Sequence, residues 1–415
     1  MNQYGYQFQS EDNSRMLNWQ HQSVDLALLF QYEDDDDEEE IQSPRSDICS
    51  SKTYSASNTW QGGDDESHQS SGGLFSSGED VQPPRVIEVQ NHIDHAMNRH
   101  LPNNSTMDSG IPELLMTKDV ERIMEAGLSY AGFDATRQKR NTVSRKIDWF
   151  KAFYGVEPST VAPFFSDVKN EYPNIMLKDF LMTMNWICLY ETYPILSGRW
   201  KYCEEYIGSK VLEYGMLMRN VAVKKIVFEL EHDVELGRTV DCCTFMVNEM
   251  RLDPSYAWFD YKTHSCGLKY EFCLATREAR VCHISGPHVP SKHDITVFRG
   301  GDSGQDEEDR DQSALYFKIK EGERCIGDAG YSGEPTKVVV TKDQHSSEFK
   351  EFLARAKNRQ ETFHWRLKSF NILRHRFRHG VNTKERMRLH KMAVELVAGI
   401  VQYDYENGHP PFDIC

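Results

Sequence analysis

No C-x-x-C pair occurs among the ten cysteines of this 415-residue chain (positions 49, 188, 203, 242, 243, 266, 273, 282, 325 and 415), so neither a zinc ribbon nor a disulfide framework is indicated. Reduced thiols are expected. No run of about 18 apolar residues is present, which leaves no candidate for a membrane-spanning helix. The opening residues MNQYGYQFQSEDNSR lack the basic-then-apolar pattern of a secretory leader, and the chain is expected to be soluble and intracellular. A basic excess is missing too: 64 Asp and Glu stand against 48 Lys and Arg. That balance would ordinarily argue against a nucleic-acid partner, whose binding rests largely on phosphate neutralisation. The objection is local, because residues 1–110 hold 20 of the acids and only 5 of the bases, leaving the remainder nearly neutral.

Three textures follow one another along the chain. Residues 1–110 are rich in Ser, Gln, Asn, Asp and Gly, carry the run EDDDDEEE (33–40), and show no sustained period; a disordered acidic tail is expected. Such a tail is either a solvated spacer or a segment that competes with DNA for a basic face. From 111 to 235 the apolar residues recur at helical spacing, as in DVERIMEAGLSYAGF and MLKDFLMTMNWICLY. Ser159 or Thr160 is the expected cap of the helix that begins in EPSTVAPFFSDV. A helix-turn-helix around LSGRW, with Arg199, Lys201 and Lys210 nearby, would suit a major groove, although ordinary helical bundles share the pattern. After Gly237 come short β-branched and aromatic runs, RTVDCCTFMV, LKYEFCLAT, ARVCHISG and ERCIGDAGY, then helical patterns from about 346 to 372 and 385 to 403. The expected class is α/β (α+β), a mixed sheet covered by helices over 236–415.

Four acids in this last part stand where chemistry is plausible: Asp241 inside the first strand, Asp294 in GPHVPSKHDITVFR, Asp328 in CIGDAGYSGEP and Glu361 in RAKNRQETFHWRLKSF. Taken singly, each has a bland alternative: an edge residue, a cap, a turn and a solvated helix position. Lys357 and Lys368 share a helix face with Glu361, four residues before it and seven after. A carboxylate between two lysines can hold a metal while its neighbours hold phosphates, and an ordinary salt-bridged surface has the same pattern.

In their fixed order, the stretches GLKYE, ISGP…HDITVFR, GDAGYSGEP, RQETFHWRLKSF and FRHGV resemble the DDE-type transposases of the PIF/Harbinger group, over roughly residues 240–412. The resemblance implies a ribonuclease H-like catalytic domain in which Asp241, Asp328 and Glu361 hold Mg2+ or Mn2+, with Asp294, Lys357 and Lys368 supporting. It implies cleavage, and further strand transfer, at transposon ends in the nucleus. The partners implied are double-stranded DNA, at element ends and target, with a second DNA-binding protein and a homo-oligomer left open. Two metal ions about 4 Å apart can activate a water or a 3′-hydroxyl and stabilise the leaving oxygen, so three carboxylates suffice without a nucleophilic side chain. The chain departs from the family in reading VDCCTF, where a glycine commonly follows the first aspartate, and in having Lys357 where an Arg is usual. The alternative is therefore a domesticated, catalytically inactive DNA-binding or scaffold protein. The basic stretch LRHRFRHGVNTKERMRLHK supplies Arg374, Arg376, Arg378, Lys384, Arg386, Arg388 and Lys391 for phosphate contact, or for a merely solvated face.

Overall fold

The computed structural model describes residues 117–230 and 235–414. The acidic segment expected over 1–110 lies outside them. A series of seven helices opens the described part: α1 (Lys118–Tyr130), α2 (Ala135–Lys139), α3 (Val143–Tyr154), α4 (Pro158–Glu171), α5 (Leu177–Leu189), α6 (Tyr193–Trp200) and α7 (Glu204–Ala222). Thr117, Asp134 and Thr142 each accept a backbone N–H in the first turn that follows, the usual way to satisfy an exposed helix start. The cap expected at Ser159 or Thr160 is instead Glu157. Pro158 occupies the first helical position, where its missing N–H costs nothing, and so begins the helix two or three residues earlier.

The sheet contains β1 (Arg238–Met246), β2 (Phe259–Asp260), β3 (Ser265–Ala275), β4 (Val281–His288), β5 (Cys325–Ile326) and β6 (Val338–Val339). Its main path runs β2-β3-β1-β5-β6, with β4 also paired to β3. The pairs β1/β3 and β3/β4 are antiparallel, while β1/β5 and β5/β6 are parallel. The expected mixed sheet is therefore present. Strands β2 and β6 went unread in the sequence, whereas the equally short β5 lies in the run ERCIGDAGY. Four further helices complete the chain around the sheet: α8 (Asp294–Arg299), α9 (Leu315–Lys318), α10 (Ser347–Lys368) and α11 (Asn371–Arg374), followed by the long α12 (Thr383–Glu406).

Alternation along β1 and β3 divides the sheet's two faces. Val240 on β1, with Cys273 and Ala275 on β3, packs with Phe298, Leu315 and Tyr331 on one side. Cys243, Phe245, Leu268, Tyr270 and Phe272 point to the other side, into a cluster that runs through α10 and α12 to Phe150, Trp186 and Met218 of the first seven helices. The chain changes texture near residue 235, but its core does not stop there. Helix α12 lies against α7 at a very close approach, since a Cβ on Gly399 would come within 2.5 Å of the Ala222 Cβ. Among the described residues no helix is long and apolar enough to cross a membrane.

Candidate active site

Parallel pairing sets Arg238 opposite Cys325 and Thr239 opposite Ile326, so continuing the register brings Asp241 level with Asp328 just past the end of β5. Asp328 is exposed and caps a tight turn over Ala329–Tyr331, accepting from the Gly330 N–H at 2.8 Å. Asp294, the first residue of α8, faces the same turn. A Cβ on Gly330 would meet Asp294 Oδ2 and Asp328 Oδ1 at 3.0 Å each, so the glycine leaves open the small space on which the two carboxylates converge. The other oxygen of Asp294 is paired with Lys269 at 2.9 Å.

The third element is α10, begun by Ser346 accepting from the Phe349 N–H. Its buried stripe of Leu353, Ala356, Gln360, Phe363, His364 and Leu367 faces the sheet and leaves Glu361 exposed at the rim. Gln360 fixes the helix against β1 and β3, joined to the Thr239 hydroxyl at 2.6 Å and donating to the Phe272 carbonyl at 3.1 Å. Glu361 thus approaches the strand that carries Asp241. The Asp241 carboxyl is pushed up to about 7, first by burial, next by the charges of Asp328 and Glu361, and least by Asp294; the Cys242 N–H, donating at 2.8 Å, pulls the other way. Three elements distant in sequence therefore bring their acids within electrostatic reach of one another.

The two supporting lysines diverge. Lys368 is exposed beyond Glu361, close to Cys243 and 5.7 Å from the Phe245 ring centre. Lys357 donates to the Thr341 hydroxyl at 2.9 Å.

Two buried groups here gave no sequence signal. His364, three residues after Glu361, places Nδ1 3.7 Å from Asp241 Oδ2, and burial holds its ring down to about 3. Glu271 on β3 lies opposite Cys242, fully buried, with neither carboxyl oxygen hydrogen-bonded. Burial and the Asp294 charge push it up to about 8, while the nearby Tyr331 hydroxyl slightly opposes the shift. Alternation in GLKYEFCLA sets Glu271 with Lys269 on the face opposite Leu268, Tyr270 and Phe272, so the sequence reads it as an outward polar position. Cys242 accepts from the Tyr331 hydroxyl at 3.3 Å and packs in the smaller cluster, so in this chain the residue after the first aspartate has a structural task.

The donor chemistry suits a hard divalent cation: carboxylate oxygens from Asp241, Asp328 and Glu361, with mutual repulsion that a cation would relieve. Among the described residues no group of three or more His, Cys, Asp or Glu side chains stands in the close arrangement of a finished metal cage.

The basic stretch divides as well. Arg374 and Lys384 are exposed. Arg376 donates to the Val247 carbonyl at 3.1 Å, and Arg378 donates to the Tyr190 and Glu191 carbonyls while lying 4.0 Å over the Tyr190 ring. Arg386 does not fit the phosphate role expected of it. It is buried, donating to the carbonyls of Asn248, Glu249, His379 and Gly380, so its guanidinium joins two chain segments instead of facing solvent. Arg388 is exposed. In the helix-turn-helix region, Arg199 pairs with Glu191, Lys201 donates to the Gly198 carbonyl and Lys210 pairs with Glu213.

Residues 240–401 match the family model of the DDE superfamily endonucleases, and this stretch is similar to that family. The match supports the resemblance to DDE-type transposases and to their nuclease domains. No curated protein and no solved structure matches the chain.

Proposed function

We propose, from this similarity and from the mutual repulsion among Asp241, Asp328 and Glu361, that the chain is a transposase or transposase-derived endonuclease of the PIF/Harbinger group. It would cleave DNA phosphodiesters at transposon ends, with strand transfer as a further step. The carrying observation is the gathering of Asp241, Asp328 and Glu361 from β1, the end of β5 and α10, which, after burial, adds to the upward push on Asp241. A chain gains no stability from gathering like charges, and function is the common reason for doing so. The strand order, three antiparallel strands continued by two parallel ones, supports a ribonuclease H-like reading of 236–415.

Asp241, Asp328 and Glu361 would hold Mg2+ or Mn2+, with Asp294 and Lys269 fixing the approach of Asp328. Bound divalent ions would supply activation of a water or 3′-hydroxyl and stabilisation of the leaving oxygen. The chain's own part is to fix Asp241 on a central strand, to keep Asp328 at an exposed turn and to bring Glu361 in from α10. Lys357 and Lys368 lie along the same helix for phosphate contact. Arg374, Lys384 and Arg388 would meet the DNA backbone, with Arg376 and Arg378 serving first to tie the loop to the helical part. Residues 111–235 would act as the DNA-binding region and 1–110 as an acidic tail, with the protein working in the nucleus where its DNA lies.

The test is incubation of purified protein with supercoiled plasmid and with duplexes carrying the flanking inverted repeats, in Mg2+ or Mn2+. Metal-dependent nicking or cleavage, abolished by chelation and by Asp328→Asn, is expected. A protein that binds DNA and never cuts it with either metal would fit the second reading, a domesticated binding protein. The observation behind that reading is Cys242 after the first aspartate, where a glycine is common in the family, engaged with the Tyr331 hydroxyl.

A further inference from the structure

Trp365 is 63% exposed on a helix whose neighbouring large apolar residues, Phe363 and Leu367, are buried. A single apolar residue at a surface is ordinary. An indole held in water on a well-anchored helix forgoes the large burial that Trp normally contributes, so its location decides whether it has a use. Trp365 follows Glu361 by four residues and precedes Lys368 by three, which puts the three side chains in one row along an exposed face of α10.

A second element borders the same place. The connection between β1 and β3 carries Lys262, whose charge reaches His364, the residue beside Trp365, and helps hold its ring neutral. Next to Lys262, Tyr261 is 72% exposed, its ring set edge-on against Phe259 at 5.1 Å. The helix that brings Glu361 to the carboxylate site thus carries an exposed indole one turn beyond it, between Glu361 and Lys368.

We infer that Trp365 is a stacking platform for an unpaired DNA base next to the phosphodiester that is cut. The inference rests on the nuclease reading and names a feature of its substrate: a strand frayed or opened at the site. An indole face accepts any base, because every base has a π face, whereas bases inside an intact duplex are already covered by their neighbours. Lys368 and Lys262 would meet the phosphates on either side of the stacked nucleotide, and Tyr261 would extend the platform along the strand.

The experiment is binding, measured by fluorescence anisotropy with chelator present so that cleavage plays no part. Three probes of equal length are used: oligothymidylate, a duplex with an unpaired end, and a blunt duplex. Trp365→Ala should bind the first two about tenfold more weakly and the blunt duplex nearly unchanged, while Trp365→Phe should recover most of the loss. Circular dichroism of both variants should match the unmodified protein, since the side chain is exposed. Equal affinity of Trp365→Ala for all three probes, or an equal loss on all three as for a residue contacting only backbone or a protein partner, overturns the stacking role and leaves the nuclease reading standing. An unmodified protein that shows the probe preference and its loss in Trp365→Ala, yet never cuts DNA with metal, overturns the nuclease reading alone. If the unmodified protein binds none of the probes, both fall.

Discussion

His364 Nδ1 stands 3.7 Å from Asp241 Oδ2, and the two are not an ion pair at neutral pH. Burial holds the imidazole down to about 3 and, together with Asp328 and Glu361, pushes the carboxyl up to about 7. An uncharged ring therefore faces an acid that titrates near neutrality. The polar surroundings of Asp241 are set for an outside charge.

Stability should record this. Between its ordinary value of 3.8 and about 7, the folded chain keeps a proton on Asp241 that the unfolded chain has released. This group's contribution is thus full below the lower value and lost as pH rises through the upper one. Asp241→Asn should therefore be more stable than the unmodified protein at about pH 8 without metal, by roughly 1–3 kcal/mol, and the advantage should vanish near pH 4. Urea unfolding at the two pH values checks it, and a pH-independent difference would show that Asp241 does not titrate as described.

Metal should act in the opposite sense. Since ligand carboxyls must be deprotonated, added Mn2+ should raise the melting temperature more at about pH 8 than at about pH 6. Glu361→Gln should weaken the rise. Equal rises at both pH values, or an undiminished rise in the variant, would place the ion elsewhere.

Removing the charges that hold the ion should stop cleavage without unfolding the chain. Asp328→Asn and Glu361→Gln, both at exposed positions, should lower plasmid nicking about a thousandfold with DNA binding largely intact. Asp294→Asn should cost about ten- to a hundredfold, as a residue that orients the site. Nicking time courses beside binding isotherms separate the two effects, and retained activity in Asp328→Asn would remove it from the site.

Gly330→Ala probes the space between Asp294 and Asp328 directly. A methyl there would meet both carboxylate oxygens at 3.0 Å and push them apart, so cleavage should fall about tenfold. Thermal unfolding should change little, because the turn is exposed. Full activity would mean that the two oxygens need not stay together.

The arginines of the basic stretch should separate into two kinds. Arg386→Ala removes a buried guanidinium that ties the carbonyls of Asn248, Glu249, His379 and Gly380 together and should cost about 2 kcal/mol or more in urea unfolding. Arg374→Ala and Lys384→Ala, at exposed positions, should change stability by less than about 0.5 kcal/mol. Each should also make the salt dependence of DNA binding shallower by about one charge. A stable Arg386→Ala would contradict its role as a clamp.

The sequence by itself determined the local structure and the chemistry on offer. Helical spacing and short β-branched runs placed the elements, Asp328 was legible at a strand end, and the order of the motifs singled out Asp241 and Glu361 before any geometry. These features depend on neighbours within a few residues, which a linear chain displays. Tertiary structure alone decided which acids meet, because the parallel pairing of β1 with β5 and the seating of α10 by Gln360 join residues far apart in sequence. It also decided which cations are available. Arg374 and Arg386 are the same letter twelve residues apart, yet one lies in water and the other is buried, for the physical reason that the 248–249 and 379–380 segments meet around one guanidinium and sequence spacing does not say where they will meet. Glu271 was hidden for a related reason: an acid at a strand position that reads as outward declares itself only when the partners it lacks, and the Asp294 charge that it feels, have been brought beside it.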